Sequence, residues 1–162
     1  MNITETAISS FIDLGLKGKV WFGSSYDTIE KMNKTFCYLK QNNVSVIWNL
    51  LEDDTIALSE ARHFRTIHSP IVDFSIPEDQ NLFVQDVLNI IQLLNNGNNI
   101  YIHCFAGHGR TGMAILSLMV LLGQDPKTSL NIVYEKVHGP ETEDQITFAT
   151  SLILVGQDDI LD

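Results

Sequence analysis

The sequence predicts an α/β fold with a central, mostly parallel sheet and helices on both faces. Three observations carry that expectation. Short segments rich in apolar and β-branched residues alternate with longer segments of helical spacing, the pattern of strands joined by crossover helices. One short segment, Asn99-Ile100-Tyr101-Ile102-His103, reads as a buried strand. It runs through a glycine-containing loop into an apolar helix, and open α/β sheets bind ligands at the carboxyl ends of such strands. The 162 residues, 44 % of them hydrophobic, suffice for one core and are read as a single domain, 1–162.

Each element has a local signal. Residues 1–18 carry no clear period and are read as an irregular or partly helical lead-in. Lys19 to Ser24 is a strand. Asp27 to Gln41 spaces Ile29, Met32, Phe36 and Leu39 as a helix does, with Asp27 as N-cap and Cys37 on the apolar face. Val44 to Leu51 is a strand, Glu52-Asp53-Asp54 a turn, and Leu58 to Arg65 a short helix. Ile67 to Phe74 is a strand interrupted by Pro70, which places it near an edge. Asp79 to Leu94 is amphipathic through Leu82, Phe83, Val87, Ile90, Ile91 and Leu94, and Asn96-Gly97 closes it. After the strand 99–103, the apolar stretch from Met113 to Leu122 is a helix that Gly123 ends. Asp125-Pro126 supplies an N-cap and first helical residue for a helix to about His138. Glu141 to Leu154 is the last helix.

Residues 103–112 read His-Cys-Phe-Ala-Gly-His-Gly-Arg-Thr-Gly. Placed between a strand end and a helix start, this loop presents backbone N–H groups that lack intrahelical partners. The helix dipole adds partial positive charge there. Gly107 and Gly109 can take positive φ, so successive N–H groups of Phe105, Ala106, Gly107, His108, Gly109 and Arg110 can converge on one anion. Arg110 can clamp two phosphate oxygens with its planar fork. The same field favours the thiolate of Cys104, and Thr111 can donate a hydrogen bond to its sulfur. A Walker-type nucleotide loop is excluded, since no Gly-Lys-Ser/Thr is present. A zinc site does not fit either: His103 and Cys104 are adjacent, and Cys37, the other cysteine, is distant in sequence.

The segment resembles the Cys-x5-Arg signature of the protein tyrosine phosphatase superfamily. Its Gly-x-Gly-Arg-Thr-Gly half is most similar to the small, atypical dual-specificity phosphatases. The resemblance implies a compact α/β phosphatase domain over most of the chain, working through a phosphocysteine intermediate with no metal or cofactor. It implies Cys104 as nucleophile, Arg110 and the loop amides as phosphate ligands, and Thr111 as support for the departing thiolate. It also implies a proton donor upstream, often in a Pro-Ile-x-Asp context. Pro70-Ile71-Val72-Asp73 is similar, so Asp73 is the expected acid. Asp79 is the runner-up, better placed to cap the following helix, and Glu78 is third.

Three further residues belong to this reading. His103 precedes the nucleophile as in the family and is expected to hydrogen-bond backbone groups and order the loop. The His108 side chain is expected at the cleft mouth. Gln145, within Glu141-Thr142-Glu143-Asp144-Gln145, matches a segment that in some small family members places the hydrolytic water, against the plainer reading of a solvated helix start. His63, His68 and His138 show no spacing pattern and are read as surface or satisfied core residues. At the end of Val44 to Leu51, where some relatives hold a redox-protective thiol, stand Leu50 and Leu51.

The formal net charge of −10 argues against nucleic acid and anionic membrane as partners. From Thr66 to Pro126 the only Lys or Arg is Arg110, so local dipoles and one guanidinium must attract the phosphate. Met1-Asn2-Ile3-Thr4-Glu5 lacks a basic n-region, no apolar run is long enough for a bilayer, and a nucleophilic thiol needs reducing surroundings. A cytoplasmic monomer acting on phosphorylated protein is therefore expected. The alternatives are a phosphoinositide phosphatase, an RNA 5′-phosphate phosphatase and a non-catalytic phospho-binding module. The first is disfavoured because the loop lacks lysines, the second by the acidic charge, and the third because both Cys104 and Arg110 are present.

Overall fold

The computed structural model of the chain describes residues 2–53 and 63–152. Its strands are β1 (Ile8–Ile12), β2 (Val20–Gly23), β3 (Val44–Asn49), β4 (Arg65–His68) and β5 (Asn99–His103), and its helices are α1 (Ile29–Gln41), α2 (Gln80–Asn95), α3 (Gly109–Leu121), α4 (Pro126–Val137) and α5 (Glu143–Ser151). The sheet runs in the order β1-β2-β5-β3-β4. β2, β5, β3 and β4 are mutually parallel, and β1 joins β2 antiparallel.

The two sheet faces bury different side chains. Val20, Phe22, Val46, Trp48, Ile100 and Ile102 pack with α2, α3, α4 and α5. Trp21, Ile47 and Tyr101 pack with Met32, Phe36 and Leu39 of α1. Neighbouring residues of one strand thus serve opposite cores, as the two-residue pleat requires. Every residue of α3 is buried, which explains why its sequence is apolar all round rather than amphipathic. No described helix is long and apolar enough to cross a membrane.

Several boundaries differ from the sequence expectation. The lead-in 1–18 contains a 3-10 turn, Ile3–Glu5, and the edge strand β1. β1 buries only its first and last residues, and its register slips between Ile8 and Ser10, so no alternation shows in the sequence. The N-cap of α1 is Thr28, whose hydroxyl accepts from Lys31 N–H, while Asp27 pairs with Lys31 at 3.7 Å. Cys37 is half-buried rather than core, because the buried face follows Met32, Thr35, Phe36 and Leu39. The strand expected over Ile67 to Phe74 starts at Arg65 and ends at His68, at the sheet edge. The helix expected over Leu58 to Arg65 falls largely outside the described residues; Arg65 itself opens β4. α3 begins at Gly109, four residues before the expected apolar run. The caps Asp79 and Asp125 stand where expected.

Candidate active site

β5 lies between β2 and β3, and its end delivers Cys104 to the carboxyl edge of the sheet. The loop that follows is seated by its carbonyls. His103 C=O accepts from Leu50 N–H at 3.0 Å and Phe105 C=O from Ser25 N–H at 3.1 Å. Its N–H groups are left over: among the described residues, none from Phe105 to Arg110 has a backbone acceptor. α1, α2, α4 and α5 each carry a side-chain N-cap, but α3 starts at His108 without one. The positive end of α3 is thus open, where an anion can lie.

Two glycines fix how closely this loop can pack. Gly107 takes φ +83°, and a Cβ there would stand 2.7 Å from the Gly23 carbonyl oxygen. Gly112, in the first turn of α3, faces the Gly139-Pro140 link, where a Cβ would meet the Gly139 carbonyl carbon at 2.5 Å. Gly23 and Gly139 are therefore as much part of the loop's seat as its own glycines, and nothing local in the sequence announces them.

Cys104 is 2 % exposed, and its Sγ accepts from Thr111 Oγ1 at 3.1 Å. Arg110 is 4 % exposed. Its Nη1 donates to the Ile71 carbonyl at 2.9 Å, and its Nη2 lies 3.5 Å from Asp73 Oδ1. Its Nε is buried with no partner among the described residues. The structure thus brings Asp73 to the same guanidinium that the sequence reserves for phosphate. The Asp73 side chain itself is 54 % exposed. Asp79 is occupied as the cap of α2, accepting from Leu82 N–H at 3.0 Å, and Glu78 is exposed.

Three side chains depart from expectation. His108 turns away from the cleft mouth: its Nδ1 lies 3.0 Å from the Val137 carbonyl, and its ring meets His138 edge-on. The last residue of α4, the buried Val137, offers that carbonyl, which the sequence spacing could not show. Gln145 is fully buried, not solvated. Its Oε1 accepts from Glu141 and Thr142 N–H to close a capping box, and its Nε2 donates to the Ser75 carbonyl at 3.1 Å. His103 is fully buried between Tyr26 and Tyr101, with ring centroids 5.5 and 5.7 Å away, and its ring nitrogens find no hydrogen-bond partner among the described residues. The ring packs between aromatic side chains behind the nucleophile.

Burial pushes the His103 pKa down to about 4; Arg110 and His68 act in the same direction and the Cys104 backbone against it. The ring is therefore neutral in the folded chain. Below its ordinary value of 6.5 the unfolded chain takes up a proton that the folded chain refuses. Stability should thus fall as pH drops from 6.5 towards 4, by about 3 kcal/mol from this residue. Urea unfolding at pH 7 and pH 5 checks this: His103→Gln should show a smaller loss between the two than the parent. Equal losses would mean His103 is not held neutral.

Among the described residues no three His, Cys, Asp or Glu side chains cluster as metal ligands would. The loop instead joins a buried sulfur, a guanidinium with an unpartnered N–H and a row of amides without backbone acceptors, with the Asp73 carboxylate 3.5 Å from the guanidinium.

The tyrosine-phosphatase candidate 067L of Invertebrate iridescent virus 3 is 35 % identical over 71 residues, 41 % of this chain and 30 % of that protein. The chain matches about 30 % of the length of the curated viral relatives. The solved structure of Tk-PTP in its active form superposes with TM-score 0.71 at 24 % identity, covering 91 % of this chain and 97 % of that one. Kinase-associated phosphatase, solved with its catalytic cysteine changed to serine, superposes with TM-score 0.76 at 16 % identity over 95 % of each chain. These likenesses show a shared fold. Residues 23–124, well over half of the chain, match the family model described as Tc-R-P, the DSP-PTPase phosphatase of polymorphic toxin systems, and the chain belongs to that family.

Proposed function

We propose that this chain is a cysteine-dependent phosphatase acting on phosphorylated protein, phosphotyrosine first, with phosphoserine and phosphothreonine as possible companions. The observation that carries the reading is the buried, unpartnered Nε of Arg110 at the end of a loop that begins at the buried Cys104 and whose amides have no backbone acceptor among the described residues. A buried donor without an acceptor is costly unless a ligand completes it.

In this mechanism the Cys104 thiolate attacks phosphorus, forming the S–P bond as the P–O bond to the leaving group breaks. Asp73 gives its proton to the departing oxygen. Arg110 and the amides of residues 105–110 hold the three equatorial oxygens. Water then attacks the phosphocysteine, Asp73 takes its proton, and the S–P electron pair returns to sulfur, which the Thr111 hydroxyl steadies. Phe105 and Phe74, both exposed, adjoin Cys104 and Asp73 and supply aromatic surface for a phosphotyrosine ring. The loop's lack of lysine disfavours a phosphoinositide. A reducing, cytoplasmic setting would keep the thiol free.

The reading is tested with an aryl phosphate and phosphopeptides, with EDTA present. Phosphate release that persists in EDTA and stops on alkylation of Cys104 is the expected result. Absence of turnover on every substrate would leave a binding module. Asp73→Asn should cost roughly a hundredfold on a phosphotyrosine peptide and far less on a dinitrophenyl phosphate, whose leaving group needs no proton. It should also flatten the basic limb of the pH profile, which reports the protonated acid. If Asp79→Asn removes that limb instead, Asp73 is not the donor.

A further inference from the structure

The turn that carries Asp73 is exposed and is held from within by local hydrogen bonds alone. Upstream it is well anchored: Ser69 N–H donates to Asn49, Ile71 N–H to Leu50, and the Ser69 hydroxyl links Trp48 Nε1 to Asp86. Beyond Ile71 the chain swings out. Val72, Asp73 and Phe74 are exposed, and Phe74 sits at φ +61°, a left-handed conformation unusual for a large side chain. From within, the turn is held by local bonds between its own residues: Ser75 N–H to the Val72 carbonyl at 3.0 Å, Phe74 N–H to Asp73 Oδ1 at 3.0 Å, and the Ser75 hydroxyl to the Asp73 carbonyl at 3.5 Å. Along Val72 and Ser75 the turn borders an open cleft of about 1060 Å³, which offers it no packing partner.

Two side chains from other elements grip this turn. Arg110 holds its upstream side through the Ile71 carbonyl. On the downstream side, among the described residues, Gln145 alone reaches in from another element, through the Ser75 carbonyl at 3.1 Å. Its orientation is fixed by chemistry. Oε1 faces the N–H groups of Glu141 and Thr142 at 2.9 and 3.3 Å, so it must be the acceptor, and the amide nitrogen must face Ser75. The fully buried side chain has one end locked to the α5 N-terminus and the other to the turn.

We propose that Gln145 is a positioning residue: its side-chain amide holds the Val72–Ser75 turn, and with it Asp73, in place beside the Cys104 loop. The inference rests on Asp73 being the proton donor. It assigns Gln145 a different task from placing the hydrolytic water, because both its polar atoms are already engaged with backbone groups. Arg110 must share its donors between the turn and the phosphate; Gln145 has no such second demand. Its grip therefore persists through both chemical steps, while that of Arg110 changes as phosphate binds and leaves.

Gln145→Glu separates the two ends of this side chain. One carboxyl oxygen still accepts from Glu141 and Thr142, while the other, once ionised, can no longer donate to Ser75. The variant should lose about tenfold in kcat/KM on a phosphotyrosine peptide at neutral pH and stay within about threefold on dinitrophenyl phosphate, a fraction of what a displaced general acid can cost. The defect should shrink as pH falls, because the protonated carboxyl regains an O–H donor. In the Asp73→Asn background the same change should cost nothing further, since the group it positions is gone. Equal losses on both substrates, with a lowered melting temperature, would overturn the proposal in favour of a purely structural cap. A burst of leaving group followed by slow turnover with every substrate would overturn it in favour of water placement. If Asp73→Asn itself shows no leaving-group dependence, it is the assignment of the acid that fails.

Discussion

Cys104→Ser should abolish turnover, by roughly four orders of magnitude or more, as loss of a covalent nucleophile does in other enzymes. Inorganic phosphate should still bind within a few-fold of its affinity for the parent. The two outcomes separate because they depend on different atoms. In the proposed mechanism phosphate is held by Arg110, by the amides of residues 105–110 and by the open N-terminus of α3, none of which the substitution touches. Attack depends on the sulfur itself, since the thiolate and not the thiol is the nucleophile. A serine hydroxyl stays protonated in the same field, and among the described residues no histidine hydrogen-bonds to the side chain of residue 104: His103 is buried among aromatic rings, His108 lies against the Val137 carbonyl and His68 against the Leu51 carbonyl. Steady-state assay with a phosphopeptide, together with calorimetric titration of phosphate, reads both quantities. Residual turnover above a trace would remove Cys104 as nucleophile. Loss of phosphate binding would mean the loop needs the thiolate to keep its shape, through the Thr111 hydrogen bond.

The sequence was informative wherever a local rule operates. The bounds of β5 and the caps of α2 and α4 follow from β-branched clustering and from Asp79 and Asp125. Cys104, Arg110 and Thr111 were legible because the loop that holds them is contiguous. Information failed where contacts are distant. Arg110 meets Ile71 across 39 positions and Gln145 meets Ser75 across 70. Neither pairing has a period or a motif, since a buried side chain that satisfies a carbonyl looks the same in sequence as one in water. The solvated reading of Gln145 failed for that reason. Gly23 and Gly139 were silent for a related reason. A glycine that exists to let another backbone approach is indistinguishable, locally, from one in a turn. α3 began earlier than its apolar run because its first turn is polar and holds Gly109 and Gly112, which allow close packing against Glu141 and Gly139 at a cost in helix propensity.

Arg110→Lys should lower kcat/KM by roughly two orders of magnitude or more, raising KM and lowering kcat together. The guanidinium presents three nitrogens in a fixed plane, and the structure assigns them distinct directions. Nη1 meets the Ile71 carbonyl, Nη2 lies towards Asp73, and Nε is buried with no protein partner. A lysine keeps the charge but concentrates it on one atom at the end of a flexible stem. That atom can reach the carbonyl or the phosphate, and the site needs both at once. If it turns to phosphate, the Ile71 carbonyl is left buried without its donor, and the upstream side of the Asp73 turn is released. If it stays with Ile71, the phosphate loses its fork, and the equatorial oxygens keep only the amides. In either case the loss should be greater for a phosphopeptide than for a dinitrophenyl phosphate, because the turn that carries the acid is loosened as well as the phosphate. Steady-state kinetics on both substrates, with inhibition by inorganic phosphate to report ground-state binding, measure the two parts separately. A lysine variant within about threefold of the parent on both would show that a point charge suffices, and that the planar geometry around Ile71, Asp73 and the phosphate does not set the rate.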